Sequence, residues 1–296
     1  MAQAPIVALI LAGITDNTPN DARTVFIAAV IAMWLGANNA IREIVSETAV
    51  YERERLVNLK IPSYVMSKFA ILSGIGLIQC FLFVAILTVS GRFKGIDFPM
   101  LTLISYLTLL AGASIGLFFS ALVKSTEKAM SILPLILIPQ LLLSGFLKPI
   151  DDLYVNVSGK TPAPVTINEF EKYERDKDKD IKFDPTKPNE KPKIPDVIQK
   201  SEGLGGAKFL SSLMTARWTI DALAHQVSVK ADDEARGKIA SRMTVTGYEN
   251  VLDKKSEDDI VDGYRSRVRK DLLVLTLFSL IFLGLTMVAL KRKDNL

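Results

Sequence analysis

Glu47, Tyr51, Arg53 and Glu54 stand within eight residues of one another, an aromatic four residues after a carboxylate and then an Arg-Glu pair. Residues of these types can ion-pair with a partner and press an aromatic ring against it. They belong to a charged, helix-prone stretch, 41–69, flanked by two apolar runs that are each long enough to cross a bilayer. Arg42, Glu43, Glu47, Glu52, Arg53, Glu54 and Arg55 would each cost about 2.5 to 3.5 kcal/mol at the centre of a membrane. The stretch is therefore expected outside the hydrocarbon, along the membrane surface or projecting from it. Val45, Val50, Tyr51 and Leu56 break the polarity and give a helix near 42–58 something to press into a partner. On charge alone, a solvated connecting helix also accounts for it.

Other chemistry is not signalled. Val157-Ser-Gly-Lys-Thr161 ends like a phosphate-binding loop but lacks the first glycine, which would be separated from Gly159 by four residues, and no strand is expected before it. One histidine, His225, and one cysteine, Cys80, make neither a His-rich metal site nor a thiolate cluster nor an internal disulfide. No Ser/His pair carries a nucleophile elbow. The chain is therefore expected to be no enzyme by itself and to hold no metal or cofactor. The expected spans contain no Asp or Glu, which argues against a proton relay through them. The net charge of +4 over 296 residues gives no argument for nucleic acid.

The elements that must position the charged stretch follow from composition. Apolar residues make up 49% of the chain and charged ones 23%, as in a chain divided between apolar spans and polar regions. The expected fold is an all-α integral membrane bundle. Residues 5–14, PIVALILAGI, would rise only about 15 Å as a helix, half a bilayer core, and read as the second half of a first membrane helix. Thr18-Pro19-Asn20-Asp21 reads as a helix start with Thr18 as N-cap. Spans are expected at 24–41, 62–90, 100–123, 130–147 and 272–290. The first of these ends near Asn38 and Asn39, whose simplest role is to hydrogen-bond a neighbouring helix. Gln79 is the one strongly polar residue inside the next. Gly112, Ala113, Ser114 and Gly116 would let a neighbouring helix approach closely. Pro134 and Pro139 would kink the 130–147 span and free carbonyls, as happens beside pathways.

Three regions result: 1–150 with five membrane helices and the charged stretch, 151–270 as a polar insert, and 271–296 with the last span and a basic tail. Within the insert, 172–193 is rich in Lys, Asp, Glu and Pro, a composition that favours disorder, and a membrane-facing helix is expected near 208–226. Lys291-Arg-Lys293 after the last span places that end in the cytoplasm, and Arg42, Arg53, Arg55, Lys60 and Lys68 place the charged stretch there too. The insert is then extracytoplasmic, because long loops cross regardless of their lysines.

Trp34-Leu-Gly-Ala-Asn-Asn-Ala-Ile-Arg-Glu-Ile, then Glu47-Thr-Ala-Val-Tyr-Glu-Arg-Glu-Arg55, then Pro62-Ser-Tyr-Val-Met-Ser-Lys68, resembles the permeases of type-2 ABC exporters. It is most similar to the G-subfamily and to bacterial chains that fuse an ATPase to such a permease, where a similar Gln-Ala-Pro precedes an apolar run. Arg217-Trp218 and the segment 221–225 resemble what precedes the last span in that family, although the 151–270 region is far longer than the usual loop. The resemblance implies a six-helix exporter bundle with a truncated first helix. It makes Glu47, Tyr51, Arg53 and Glu54 a coupling helix seated in a cleft of a nucleotide-binding domain, separate or fused upstream, that binds ATP and Mg. It implies a second permease, either another copy or a homologue, a pathway lined at Leu35, Asn39, Ile138 and Leu141, and an outer plug at Phe146 and Leu147. The implied location is the bacterial inner membrane, multi-pass and surrounded by lipid, and an apolar lining suits an amphipathic or lipid-like cargo. The alternative is a membrane-anchored, non-transporting protein whose external domain binds a ligand or partner.

Overall fold

A computed structural model describes residues 3–15, 19–144, 210–228 and 257–294. The regular elements among them are helical: α1 (Gln3–Ile14), α2 (Ala22–Ala40), a 3-10 turn (Val45–Glu47), α3 (Thr48–Leu56), α4 (Ile61–Val89), α5 (Phe98–Leu122), α6 (Thr126–Leu142), α7 (Thr215–Ser228) and α8 (Glu257–Lys293). Four helical stretches are long and apolar enough to cross a membrane: Arg23–Leu56, which begins in α2, then α4, α5, and Arg265–Lys293 of α8. Leu77, Phe81, Leu273, Leu277 and Ile281 on α4 and α8 are exposed, as side chains facing lipid would be.

Local sequence explains where these helices start. Pro62 and Pro99 sit in the first turns of α4 and α5, where a missing N–H costs nothing. Ser125 caps α6 by accepting from the Lys128 N–H. The N-cap of α2 is Asp21, which accepts from the Arg23 N–H, and not Thr18. The helix is delayed because Asn20 takes a left-handed conformation, φ 60°, and is tied to the turn between α4 and α5. Its N–H donates to Arg92 O at 2.8 Å, its amide donates to Lys94 O, and its Oδ1 accepts from the Lys94 N–H. The Arg92 guanidinium reaches Ala12 O near the end of α1. One end of the bundle is thereby stitched from three segments.

The core is organised on the crossing of α2 and α5. A Cβ added to Gly36 would collide with Leu109 O, and one on Gly112 with Met33 O. On Gly116 it would lie 2.8 Å from Ala37 O. The backbones touch here, and only glycine permits it. Close packing therefore accounts for Gly112 and Gly116.

Expectations about the three later helices change. α6 covers 17 residues and contains both prolines, short of the roughly 20 that cross a bilayer; 145–150 lies outside the described residues. α8 is 37 residues long and begins at Glu257, before the boundary expected near 271. It extends the last helix back through Asp271, 3% exposed, which stands one residue before the span expected at 272–290. The helix expected near 208–226 is α7. It does not lie on a membrane face: it is buried against α2, α5 and α8, with Ala216, Ala222, Ala224 and Val227 fully enclosed. Thr219 shares a hydrogen bond of 3.0 Å with Thr108 of α5. Gln140 of α6 accepts from both the Ala216 N–H and the Thr215 hydroxyl, holding the first turn of α7. The disorder expected at 172–193 falls outside the described residues.

Candidate functional site

At the end of the bundle opposite Asn20, the chain leaves α2 at Ile41 and re-enters at Ile61. Three turns of polar sequence must be held there. The first is fixed by Ser120 of α5, whose hydroxyl oxygen accepts from the N–H groups of Ile44 and Val45 at 3.1 and 3.0 Å. α3 follows, and it ends where Asn58 adopts a left-handed conformation, φ 77°. The Leu59 N–H then returns to Glu54 O at 3.2 Å. Asparagine tolerates this conformation better than other side chains except glycine, so the sequence stops α3 there and turns the chain back toward Pro62.

α3 has two faces. On the inner one Tyr51, 2% exposed, lies among Ile44, Ile61, Tyr64, Val65 and Leu290. Its ring meets that of Tyr64 with centroids 5.0 Å apart. Its hydroxyl donates to Asp294 Oδ1 at 3.1 Å, and Arg55 Nε donates to Asp294 Oδ2 at 2.7 Å. Burial first, and then the Asp294 carboxylate, push the Tyr51 phenol up to about 12. The hydrogen bond to Asp294 likewise raises the Arg55 guanidinium above its ordinary value. Both groups keep their protons at any physiological pH, so the contact persists as a charge-assisted one. The outer face carries Glu52, Arg53 and Glu54, all exposed, beside Leu56, which is 89% exposed, and Val57.

The four residues expected on a coupling helix thus divide. Arg53 and Glu54 point away from the bundle. Tyr51 points into it. Glu47 accepts an ion pair from Lys68 Nζ of α4 at 2.6 Å, with Glu43 3.6 Å from the same ammonium. Lys68 in turn lies over the Tyr64 ring. Glu47, Lys68, Tyr64, Tyr51, Arg55 and Asp294 form one continuous seat under α3.

Sequence reasoning did not find Asp294, Lys68 or Tyr64 as parts of this seat. Asp294 is 239 residues from Arg55 in the chain. The signal available was the placement of both segments on one side by their basic residues, which leaves a lone acid near the end of α8 to pair with one of them.

The residues expected along a pathway do not share one environment within the chain. Leu35 is fully enclosed in the core. Asn39 donates to Gln79 Oε1 at 2.6 Å, the inter-helix role that was its simplest reading. Ile138 is 51% exposed and Leu141 is half-buried. Phe146 and Leu147 lie outside the described residues. Gln140, next to Leu141, is buried and engaged with α7. Among the described residues no group of three or more His, Cys, Asp or Glu side chains could hold a metal ion.

Four helical stretches long and apolar enough to cross a membrane, packed through glycine-mediated crossings, define an integral membrane protein. Residues 1–158 match the ABC-2 type transporter family, more than half of the chain, and the chain belongs to that family. It is a permease of the ABC transporter class. It is also similar to the ABC transporter ATP-binding/permease protein Rv1747 of Mycobacterium tuberculosis, 28% identical over 142 residues. That match takes in 45% of this chain and 16% of the relative's length.

Proposed function

We propose that this chain is the transmembrane permease of an ATP-driven exporter, with α3 as the coupling helix. The observation that carries the reading is the division of α3: an inner face fastened to the bundle and an outer face presenting Glu52, Arg53, Glu54, Leu56 and Val57. A helix with no partner gains nothing from leaving two large aliphatic side chains in water beside a charge triplet, whereas a cleft in a nucleotide-binding domain would cover both. The relative that carries ATP-binding and permease functions in one name supports such a domain as the partner. ATP and Mg would be held there, and hydrolysis would occur there.

Two copies would enclose the pathway, with α2 and α6 toward it. The assigned residues Asn39, Ile138 and Leu141, with Leu35 behind them, give it an apolar wall with one amide, suited to amphipathic or lipid-like cargo moved out of the cytoplasm. The six-crossing count, the bacterial inner membrane, and the extracytoplasmic position of 151–270 belong to the same reading.

The test is to reconstitute the permease with its nucleotide-binding domain and compare Arg53→Ala and Glu54→Ala with the unaltered protein. Truncating a charge seated in a partner's cleft costs about 2 to 5 kcal/mol, against less than about 1 kcal/mol for a free surface pair. Both variants should insert normally, bind the ATPase more weakly and lose export. Normal association and export in both would remove the coupling assignment.

A further inference from the structure

The seat under α3 joins it to a helix that is remote in sequence. Asp294 follows α8 directly, and its N–H bonds back to Leu290 O at 3.1 Å, so its position is set by the last turn of that helix. Its side chain, 18% exposed, accepts from two side chains of α3 one turn apart, Tyr51 and Arg55. Arg55 also donates from its terminal nitrogen to Leu59 O at 2.5 Å, which fixes the guanidinium between the end of α3 and the carboxylate. Below them Leu290 is buried in the same cluster as Tyr51, Tyr64 and Leu72. α3 is therefore fastened to three helices: covalently to α2 and α4, and through one carboxylate to α8. α8 runs from there through 37 residues, about 55 Å at the helical rise, and packs along α5 and α7.

We propose that Asp294 is a positioning residue of the coupling step. Its carboxylate makes α3 and the end of α8 move as one body, so that a displacement of α3 reaches α7 and the α6 end through α8 as well as through α2 and α4. The proposal rests on α3 being the coupling helix. The geometry suits the task because one acceptor group takes two donors from separate positions, which resists rotation of α3 as well as translation. The charge-assisted bond to Arg55 and the phenol bond keep the same protonation throughout the physiological range.

The experiment uses the full chain with its nucleotide-binding domain in lipid nanodiscs, in a Cys80→Ser background. Spin labels at Ala49→Cys and Lys291→Cys report the distance between α3 and the end of α8. In the otherwise unaltered protein the distribution should be narrow and the same in nucleotide-free and ATP–vanadate states. Asp294→Asn should broaden it and lower kcat for ATP hydrolysis several-fold, with KM for ATP unchanged. Arg55→Asp combined with Asp294→Arg should restore both readouts. Tyr51→Phe, which keeps the ion pair, should broaden the distribution less.

A distribution as narrow in Asp294→Asn as in the unaltered protein, or one that shifts with nucleotide while Asp294 is present, overturns the clamp. A broadened distribution with unaltered kcat, or no rescue by the charge swap, overturns the positioning role. Failure of the coupling reading looks different: Arg53→Ala and Glu54→Ala would then leave ATPase association untouched while Asp294→Asn still loosened α3.

Discussion

Asn39 donates its amide to the Gln79 side-chain oxygen across 2.6 Å, joining the last turns of α2 to the middle of α4. Gln79 is 1% exposed. An amide with no partner at that depth would be costly, so each residue makes the other tolerable. The bond also fixes the axial register of the two helices that flank α3, and so the spacing between its two covalent tethers.

Removing either amide should therefore give the same result. Gln79→Leu and Asn39→Leu are each expected to lower stability by about 0.5 to 2 kcal/mol, while the double variant should cost less than the sum, because neither partner is left alone. Thermal unfolding in detergent for the three variants checks this. Additive losses would show that the two amides do not depend on each other.

Glycine substitutions should separate according to what lies over each one. Gly112→Ala pushes a methyl group into the backbone of α2 at Met33, and backbone cannot move aside. A loss of about 1 to 3 kcal/mol, or failure to assemble, is expected. Gly74→Ala on α4 meets nothing within 4 Å and should be neutral or raise stability by up to about 1 kcal/mol, from helix propensity alone. Equal effects at the two sites would contradict the close α2–α5 crossing. Detergent melting curves measure both.

Some of this structure was legible and some was not, for physical reasons. The helix start at Pro62 is a local signal and was read, as was the close approach implied by Gly112 and Gly116. The start of α2 was misread because the left-handed Asn20 is held by Arg92 and Lys94, and partners so distant in sequence leave no local mark. α7 was expected to face the membrane because 210–226 is apolar enough to fold back onto it. Its small buried residues Thr215, Ala216, Thr219, Ala222 and Ala224, with Gln140 holding its first turn, put it inside. Half of the site was visible as a charged stretch, but charge alone does not say which side of a helix is used. Only Asp294 and Lys68 reveal that Tyr51 and Glu47 face inward and that Arg53 and Glu54 face outward.

The side of the membrane reached by the 151–270 region is open to a direct test that needs no cargo. Cys80 is buried and should stay unreactive toward maleimides until the protein is denatured. A cysteine placed at Ser158 in a Cys80→Ser background should react with a membrane-impermeant maleimide in intact cells, if basic residues at 41–69 and 291–293 hold those segments inside. Labelling at 158 only after lysis would invert the topology and place α3 on the outer surface, where no nucleotide-binding domain could reach it.

A pH dependence should come from α7. His225 is fully buried, and its Nδ1 lies 2.7 Å from Asp221 O, a distance at which the neutral ring donates to the carbonyl. Burial first, and the positive charge of Arg267 on α8 as well, push the imidazole down to about 4 from an ordinary value near 6.5. Above about pH 6.5 the ring is neutral whether the chain is folded or unfolded, and it contributes no pH dependence. Between about 6.5 and 4 the unfolded chain takes up a proton that the folded chain refuses, so stability falls as the pH falls through that window. The melting temperature in detergent should therefore drop between pH 6.5 and 4 by more in the unaltered protein than in His225→Gln, which keeps a donor but cannot titrate. Carboxylates elsewhere change stability over the same range, but they are common to both proteins and cancel in the difference. Identical curves would show that protonated His225 is accommodated, and that α7 is not packed as tightly against α5 and α8 as its burial implies.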